Sequence, residues 1–542
     1  MAVTKAKTAH VNMMTDTIIA NLPLEGLRAV MRGVLSSHPA ATPAFEEQTR
    51  NYLLETTTQF KNVTVTARRE DGSSYTTPAL QDLRKRICCM VGCGMCYEAL
   101  PLLQQIVRET IGIIFSEQDS PLDDLAAVDG DIVQALTAIQ KTLLSPTGTR
   151  ELSPTEAEPV ARLHESVLMY QKDCTTRNQP FLLERAADAL TSLLKPDSSE
   201  QVTIQRHELA PEDIPETFTL NGSTLPRIFT GLWQLSSPAW GSASRSKMLD
   251  QFSSYVQRGF TAFDMADHYG DAEIIFGRYR SSSAYSDKLF AATKYCIFHP
   301  MTVTEEAVRA NVSERCRRLN TGKIDLLQFH WQFYDDDQYI KALQYLQSDP
   351  RVKQLGLCNF DTEHMQKVIE SGIKIVSNQV QFSLIDSRPT IKMASFCDRH
   401  NIKLLTYGTL LGGFLAEKWI GQPAPDLYSD KTTPSQRKYY AMIRSWGGWD
   451  LFQELLLVLQ GIATKHGVSV SNVATRWVLD FECVGAVIVG ARMGVSEHFG
   501  ENLASLGWRL DSEDRGRIEA ILERSSRREM FESMGDCGGE YR

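Results

Sequence analysis

The stretch Phe263–Glu273, FDMADHYGDAE, sets a carboxylate, Asp264, near the end of the apolar run Phe260–Ala266. A phenol, Tyr269, follows five residues later, and Gly270 turns the chain toward a helical pattern. A phenol beside a carboxylate, on a loop leaving a strand, is equipped for proton transfer. Two later apolar runs bring further polar groups. LFAATKY carries Lys294 and IDLLQFHW carries His330. Three consecutive strand-to-loop corners therefore hold Asp and Tyr, then Lys, then His.

In order, spacing and flanking residues these four groups resemble the catalytic tetrad of the aldo-keto reductase family. The resemblance implies carbonyl reduction by hydride from a nicotinamide cofactor, NADP rather than NAD, with a small aldehyde or ketone as substrate. It makes Tyr269 the proton donor to the developing alkoxide. An unperturbed phenol, with a pKa of about 10, is a weak acid at neutral pH. Lys294 is the cation expected to strengthen it, Asp264 the ion-pair partner of that lysine, and His330 the group that orients the carbonyl.

The same resemblance assigns cofactor contacts. Cys358-Asn359 stands where the family has Ser-Asn against the nicotinamide carboxamide, and thiol is the poorer hydrogen-bonding group. Gln379 joins them, and Tyr407 is the aromatic expected to stack on the ring. In VIVGARMGVSEHFGENLASL, Gly490, Arg492, Glu501 and Asn502 fit the adenosine end; His498 stands where many members of the family place an Arg for the 2′-phosphate, and Arg492 is the bidentate phosphate contact expected in its stead. Trp233 and Trp331 are the expected substrate-pocket walls, with Trp240 a weaker candidate; an ordinary packing role competes for each. Ala416–Trp449 is expected to cover the pocket. Two other readings stay open: a cofactor-bound regulatory or scaffold subunit with little catalysis, and alcohol or sugar oxidation by the same residues.

Positioning these groups requires a particular scaffold. Residues 218–524 alternate apolar strand candidates with helical ones in eight strand-then-helix units, the last crossover holding three helical segments, as a (β/α)8 TIM barrel requires. Near-continuous apolar strands suit a buried parallel sheet. A doubly wound open sheet is the rival, but no G-x-G-x-x-G turn follows the first strand. Asn221-Gly222 marks a hairpin ahead of the barrel, which in the resembled family closes its floor. Residues 1–200 read as a mainly α-helical domain of unknown role, with a possible hairpin around Asp71-Gly72, and 201–217 as a linker. The tail 525–542 is expected to be disordered.

At 542 residues the chain exceeds one ordinary core. Its net charge of −9 gives no electrostatic footprint for nucleic acid or an anionic membrane. No apolar run reaches transmembrane length, and no secretory or lipidation signal is evident. A cytoplasmic protein with reduced cysteines is expected. Cys88, Cys93 and Cys96 have a C-x4-C-x2-C spacing that a distant Cys174 would complete as a cluster site. Their apolar helical flanks favour small core residues instead, and no metal is expected. Self-association or a protein partner is the expected use of the helical domain.

Overall fold

The computed structural model describes residues 13–60, 63–70, 74–113, 121–145, 148–194, 209–236, 243–298, 300–426 and 432–541. Two hydrophobic cores organise them. The first belongs to the amino-terminal helices α1 (Pro78–Gly92), α2 (Cys96–Thr110), α3 (Pro121–Leu143), α4 (Pro154–Thr176) and α5 (Glu184–Leu194). Leu100, Leu103 and Val107 recur at helical spacing along α2 and are fully buried among these helices. Helix α4 starts in a capping box, Ser153 with Glu156. The expected hairpin pairs Thr66–Arg68 with Ser74–Thr76; its tip lies outside the described residues. Residues 201–208 of the expected linker and Trp240 lie outside them as well.

The second core surrounds a closed eight-stranded parallel barrel. Its strands are β1 (Ile228–Gly231), β2 (Ala262–Asp264), β3 (Phe290–Cys296), β4 (Leu326–His330), β5 (Leu355–Cys358), β6 (Ser377–Gln381), β7 (Lys403–Tyr407) and β8 (Val484–Gly490), with β8 pairing back to β1. The barrel is expected from the sequence, and each strand falls inside or within one residue of its apolar run. The antiparallel hairpin Thr217–Leu220/Ser223–Pro226 turns on Asn221 and Gly222, both at positive φ (45° and 87°), the backbone that Asn-Gly adopts readily. Its Leu220 and Leu225 pack with Phe229, Phe290 and Leu405 inside the lower end of the barrel, which plugs the floor.

The tail departs from expectation. Arg527–Met534 is helical, Met530 and Cys537 are buried, and Glu540 pairs with the buried Arg388 at 2.9 Å. Apolar burial and an ion pair hold this tail against the barrel, where disorder was expected. Among the described residues no helix is long and apolar enough to cross a membrane.

Candidate active site

Inward-facing positions of a strand alternate with outward-facing ones. Asp264 ends β2, Lys294 lies in β3 and His330 ends β4, and all three are buried at one rim of the barrel. The Lys294 ammonium donates to Asp264 Oδ2 at 2.7 Å and to the Met265 carbonyl at 2.8 Å, and stands 3.5 Å from the Tyr269 hydroxyl. Tyr269 reaches it because the chain turns twice in the loop: Tyr269 N–H donates to Ala266 O, and Gly270 takes positive φ before helix α6 (Ala272–Ser282). His330 and Tyr269 meet through aromatic neighbours. Phe298 lies edge-on to the His330 ring at 5.9 Å and to His268 at 5.1 Å, and His268 is 4.8 Å from Tyr269.

Burial shapes the charges here. It works against the charged form of Lys294, but Asp264 and Tyr269 outweigh it and raise the ammonium above its ordinary range. Burial also raises the Tyr269 phenol, and the pull of Lys294 the other way does not cancel it. The sequence leads one to expect a strengthened acid. The structure gives a phenol with a cation in contact but a net upward shift, because desolvation of the phenolate is the larger effect. Burial lowers His330 to about 4, helped by His268 and Lys294, so the imidazole is neutral near pH 7.

The expected carboxamide contacts cluster at the neighbouring corners. Asn359 follows β5 at φ 60°, a left-handed conformation that asparagine tolerates unusually well. Its Oδ1 accepts from the Tyr407 hydroxyl at 2.9 Å, while its Nδ2 donates to no described residue. A planar amide could therefore be met by Asn359 beside the Tyr407 ring. Cys358 is buried, its thiol pushed up to about 12 by that burial. Gln379 points elsewhere: its amide donates to Asp264 Oδ1 at 2.7 Å and to Gln328 Oε1 at 3.0 Å. At the eighth corner Gly490 ends β8, Arg492, His498 and Glu501 are exposed, and Asn502 lies on the short helix that follows. His498 contacts Glu501 at 3.1 Å, and Arg492 makes no ion pair among the described residues.

The two tryptophans separate. Trp233 follows β1 and is 40% exposed near the rim. Trp331 is 2% exposed; its indole N–H donates to Phe333 O and its ring stacks on Phe329 at 5.7 Å. The two-residue period explains this correction to the expected pocket wall. Gln328 and His330 face inward, so Phe329 and Trp331 face the outer core.

The aldo/keto reductase family model matches residues 227–523, more than half of the chain. The chain belongs to the aldo/keto reductase family. Among curated relatives, Flagellar radial spoke protein 5 of Chlamydomonas reinhardtii is 30% identical over 197 residues, which cover 33% of this chain and 37% of that protein. Aldo-keto reductase YhdN of Bacillus subtilis is 24% identical over 315 residues, 56% of this chain and 91% of the relative. A solved glycerol dehydrogenase from Gluconobacter oxydans is 23% identical, covers 58% of this chain and 97% of its own, and superposes with a TM-score of 0.49. An aldo/keto reductase is an oxidoreductase of carbonyl and CH–OH groups, and this barrel is one.

Within this aldo/keto reductase barrel, several neighbours of the tetrad escape the sequence reading. Gln328, fully buried, donates to Asp264 Oδ1 at 3.0 Å, so one carboxylate takes a lysine and two amides. Its signal was present: a lone amide two residues before His330, on the same strand face. Asp267, His268 and Cys296 are the one group of three potential metal ligands drawn together among the described residues. Asp267 is already occupied by the Cys296 N–H at 3.0 Å and by His268 at 3.0 Å, and Arg315 stands beside it. The four cysteines Cys88, Cys93, Cys96 and Cys174 form no such group.

Proposed function

We propose that the barrel is an NADP-dependent reductase of an aldehyde or ketone, with Tyr269 as proton donor, Lys294 and Asp264 as its charge partners, and His330 as the group that orients the carbonyl. The observation that carries the reading is the unbroken chain from Asp264 through Lys294 to the Tyr269 hydroxyl, beside a neutral His330. A bound nicotinamide supplies the hydride to the carbonyl carbon. Tyr269 passes its proton to the carbonyl oxygen, and the adjacent Lys294 ammonium stabilises the phenolate left behind. His330, uncharged, donates a hydrogen bond to that oxygen without competing as an acid.

Cofactor residues support the reading at both ends. Asn359 presents an uncommitted amide N–H beside Tyr407, and Arg492 stands exposed without a carboxylate partner where a 2′-phosphate is expected, which favours NADPH. Gln379 must turn from Asp264 to serve as a carboxamide contact, and it is the weakest of the set. The same groups run the oxidative direction, and the nicotinamide ratio decides between the two. Tyr269→Phe should lower turnover of a good carbonyl substrate by about 10²–10⁴-fold while NADPH affinity stays within about twofold. Near-parental turnover in that variant would refute the assignment.

A second reading has its own observation. The likeness to a radial spoke protein, together with exposed Ile18, Leu24, Val30 and Val34 on the helices Met13–Asn21 and Leu24–Ser37, supports a structural subunit that keeps its cofactor site. On that reading full-length protein binds NADPH but turns over no carbonyl in a broad panel.

A further inference from the structure

Between the helical part and the barrel lies a cavity of about 530 Å3, walled by helices α3 and α5 on one side and by helix α7 (Glu305–Arg318) and Asp267 on the other. Five cations face it, Lys141, Arg150, Arg315, Arg317 and Arg318, against the carboxylates of Glu151, Asp267 and Glu314. Three of the five are committed. Arg150 forks onto Glu156 at 2.7 Å, Arg317 onto Glu314 at 2.7 and 2.8 Å, and Arg318 binds Glu273 at 2.7 Å and Gln140 at 2.8 Å.

The other two make no hydrogen bond to a carboxylate, although Arg315 is ion-paired. Arg315 is 2% exposed, and its Nε and Nη1 make no hydrogen bond. Glu273 and Asp267 stand 3.3 and 3.6 Å away, close enough to keep it charged but without hydrogen-bond geometry. Lys141 makes neither hydrogen bond nor ion pair among the described residues; its ammonium lies 6.0 Å from the Phe298 ring centroid. A buried guanidinium with donors unmade is costly unless a ligand completes it. Arginine and lysine together are what a phosphate or carboxylate needs: a planar fork and a mobile point charge.

We propose that this cavity binds a small anion, a phosphate or carboxylate group, held by Arg315 of the barrel and Lys141 of the helical part. Glu151, Asp267 and Glu314 face it too: Glu151 is exposed, Glu314 is spent on Arg317, and Asp267 accepts from the Cys296 N–H, contacts His268 and pairs with Arg315 at 3.6 Å. Asp267 lies two residues before Tyr269, and the Phe298 ring lies 6.0 Å from the Lys141 ammonium and 5.9 Å from the His330 ring. The anion is either the tail of the substrate or a separate effector. That choice rests on the reductase reading, whereas the binding does not.

Inorganic phosphate titrated into the full-length protein at constant ionic strength, followed by calorimetry, tests the site. Saturable binding at one site is expected, weakened at least about tenfold by Lys141→Met, whose side chain lies outside both cores. Arg315→Lys, which keeps the charge but loses the fork, should weaken it as well. Tyr269→Phe should bind phosphate as the parent does, so failure of the reductase reading and failure of this site are told apart. If phosphate does not saturate, or Lys141→Met binds it unchanged, the proposal is overturned. A phosphorylated aldehyde whose KM is lower than that of its neutral parent, with the difference lost in Lys141→Met, marks a substrate tail. Phosphate that alters turnover of the neutral aldehyde without competing with it marks an effector.

Discussion

Asp264 shows how much one carboxylate organises. One oxygen takes the lysine, and the other takes the amides of Gln328 and Gln379, so the side chain has no freedom left to rotate away from Lys294. His330 makes the complementary point. Its folded-state pKa of about 4 lies below the ordinary histidine value near 6.5. The unfolded chain therefore binds more protons between these values, and the stability contributed by burying neutral His330 is present above about pH 6.5 and lost as pH falls toward 4. Replacing it by Gln should flatten that acid-side loss. Denaturant unfolding of parent and variant at pH 5 and pH 7 checks this, and an equal pH dependence in both would contradict the burial argument.

At the level of elements, the two-residue period of β4 sorts function from packing. Gln328 and His330 turn toward the site, while Phe329 and Trp331 turn into the outer core. Trp331→Ala is accordingly expected to cost about 3–5 kcal/mol of stability, through lost burial and the cavity left behind. KM for a carbonyl substrate should change little by comparison. A large KM effect with unchanged denaturation would restore Trp331 to the pocket. At β5 the buried Cys358 stands where a hydroxyl would donate and accept more strongly. Cys358→Ser should tighten NADPH binding by about 1 kcal/mol, several-fold in Kd, measured by fluorescence titration. The strand and helix order was legible because apolar runs and caps are local signals. Gln379's turn toward Asp264 was not, because it depends on an amide from another strand.

For the molecule as a whole, buried charges join the helical part to the barrel. Arg185 of α5 forks onto Asp271 of the loop after β2 at 2.6 and 2.8 Å, and both are buried. Asp271 opens helix α6 two residues after Tyr269, so this joint braces the loop that carries Tyr269 from outside the barrel. Asp129 lies beside Arg185 and accepts the Ala186 N–H at 2.8 Å; burial raises its carboxyl to about 7 despite the guanidinium. An acid whose folded pKa is raised binds more protons in the native state than unfolded. Its effect runs opposite to that of His330: stability is greatest below about pH 4 and declines as pH rises toward 7. Asp129→Asn, which keeps the acceptor without the charge, should remove that decline. Urea midpoints between pH 5 and pH 8 measure it, and an unchanged slope would exclude Asp129 as the cause.

The residues at the strand ends of the barrel were readable from the sequence alone. Asp264, Tyr269, Lys294 and His330 each follow an apolar run, and a parallel barrel collects strand ends at one rim whatever the loops do. What those groups are worth electrostatically was decided by the tertiary structure, because desolvation depends on everything packed around them. The same is true of the joint between the two parts. Arg185 and Asp271 are 86 positions apart, and neither carries a local signal of the other. Lys141 and Arg315 face one cavity only because helices from both parts close over it.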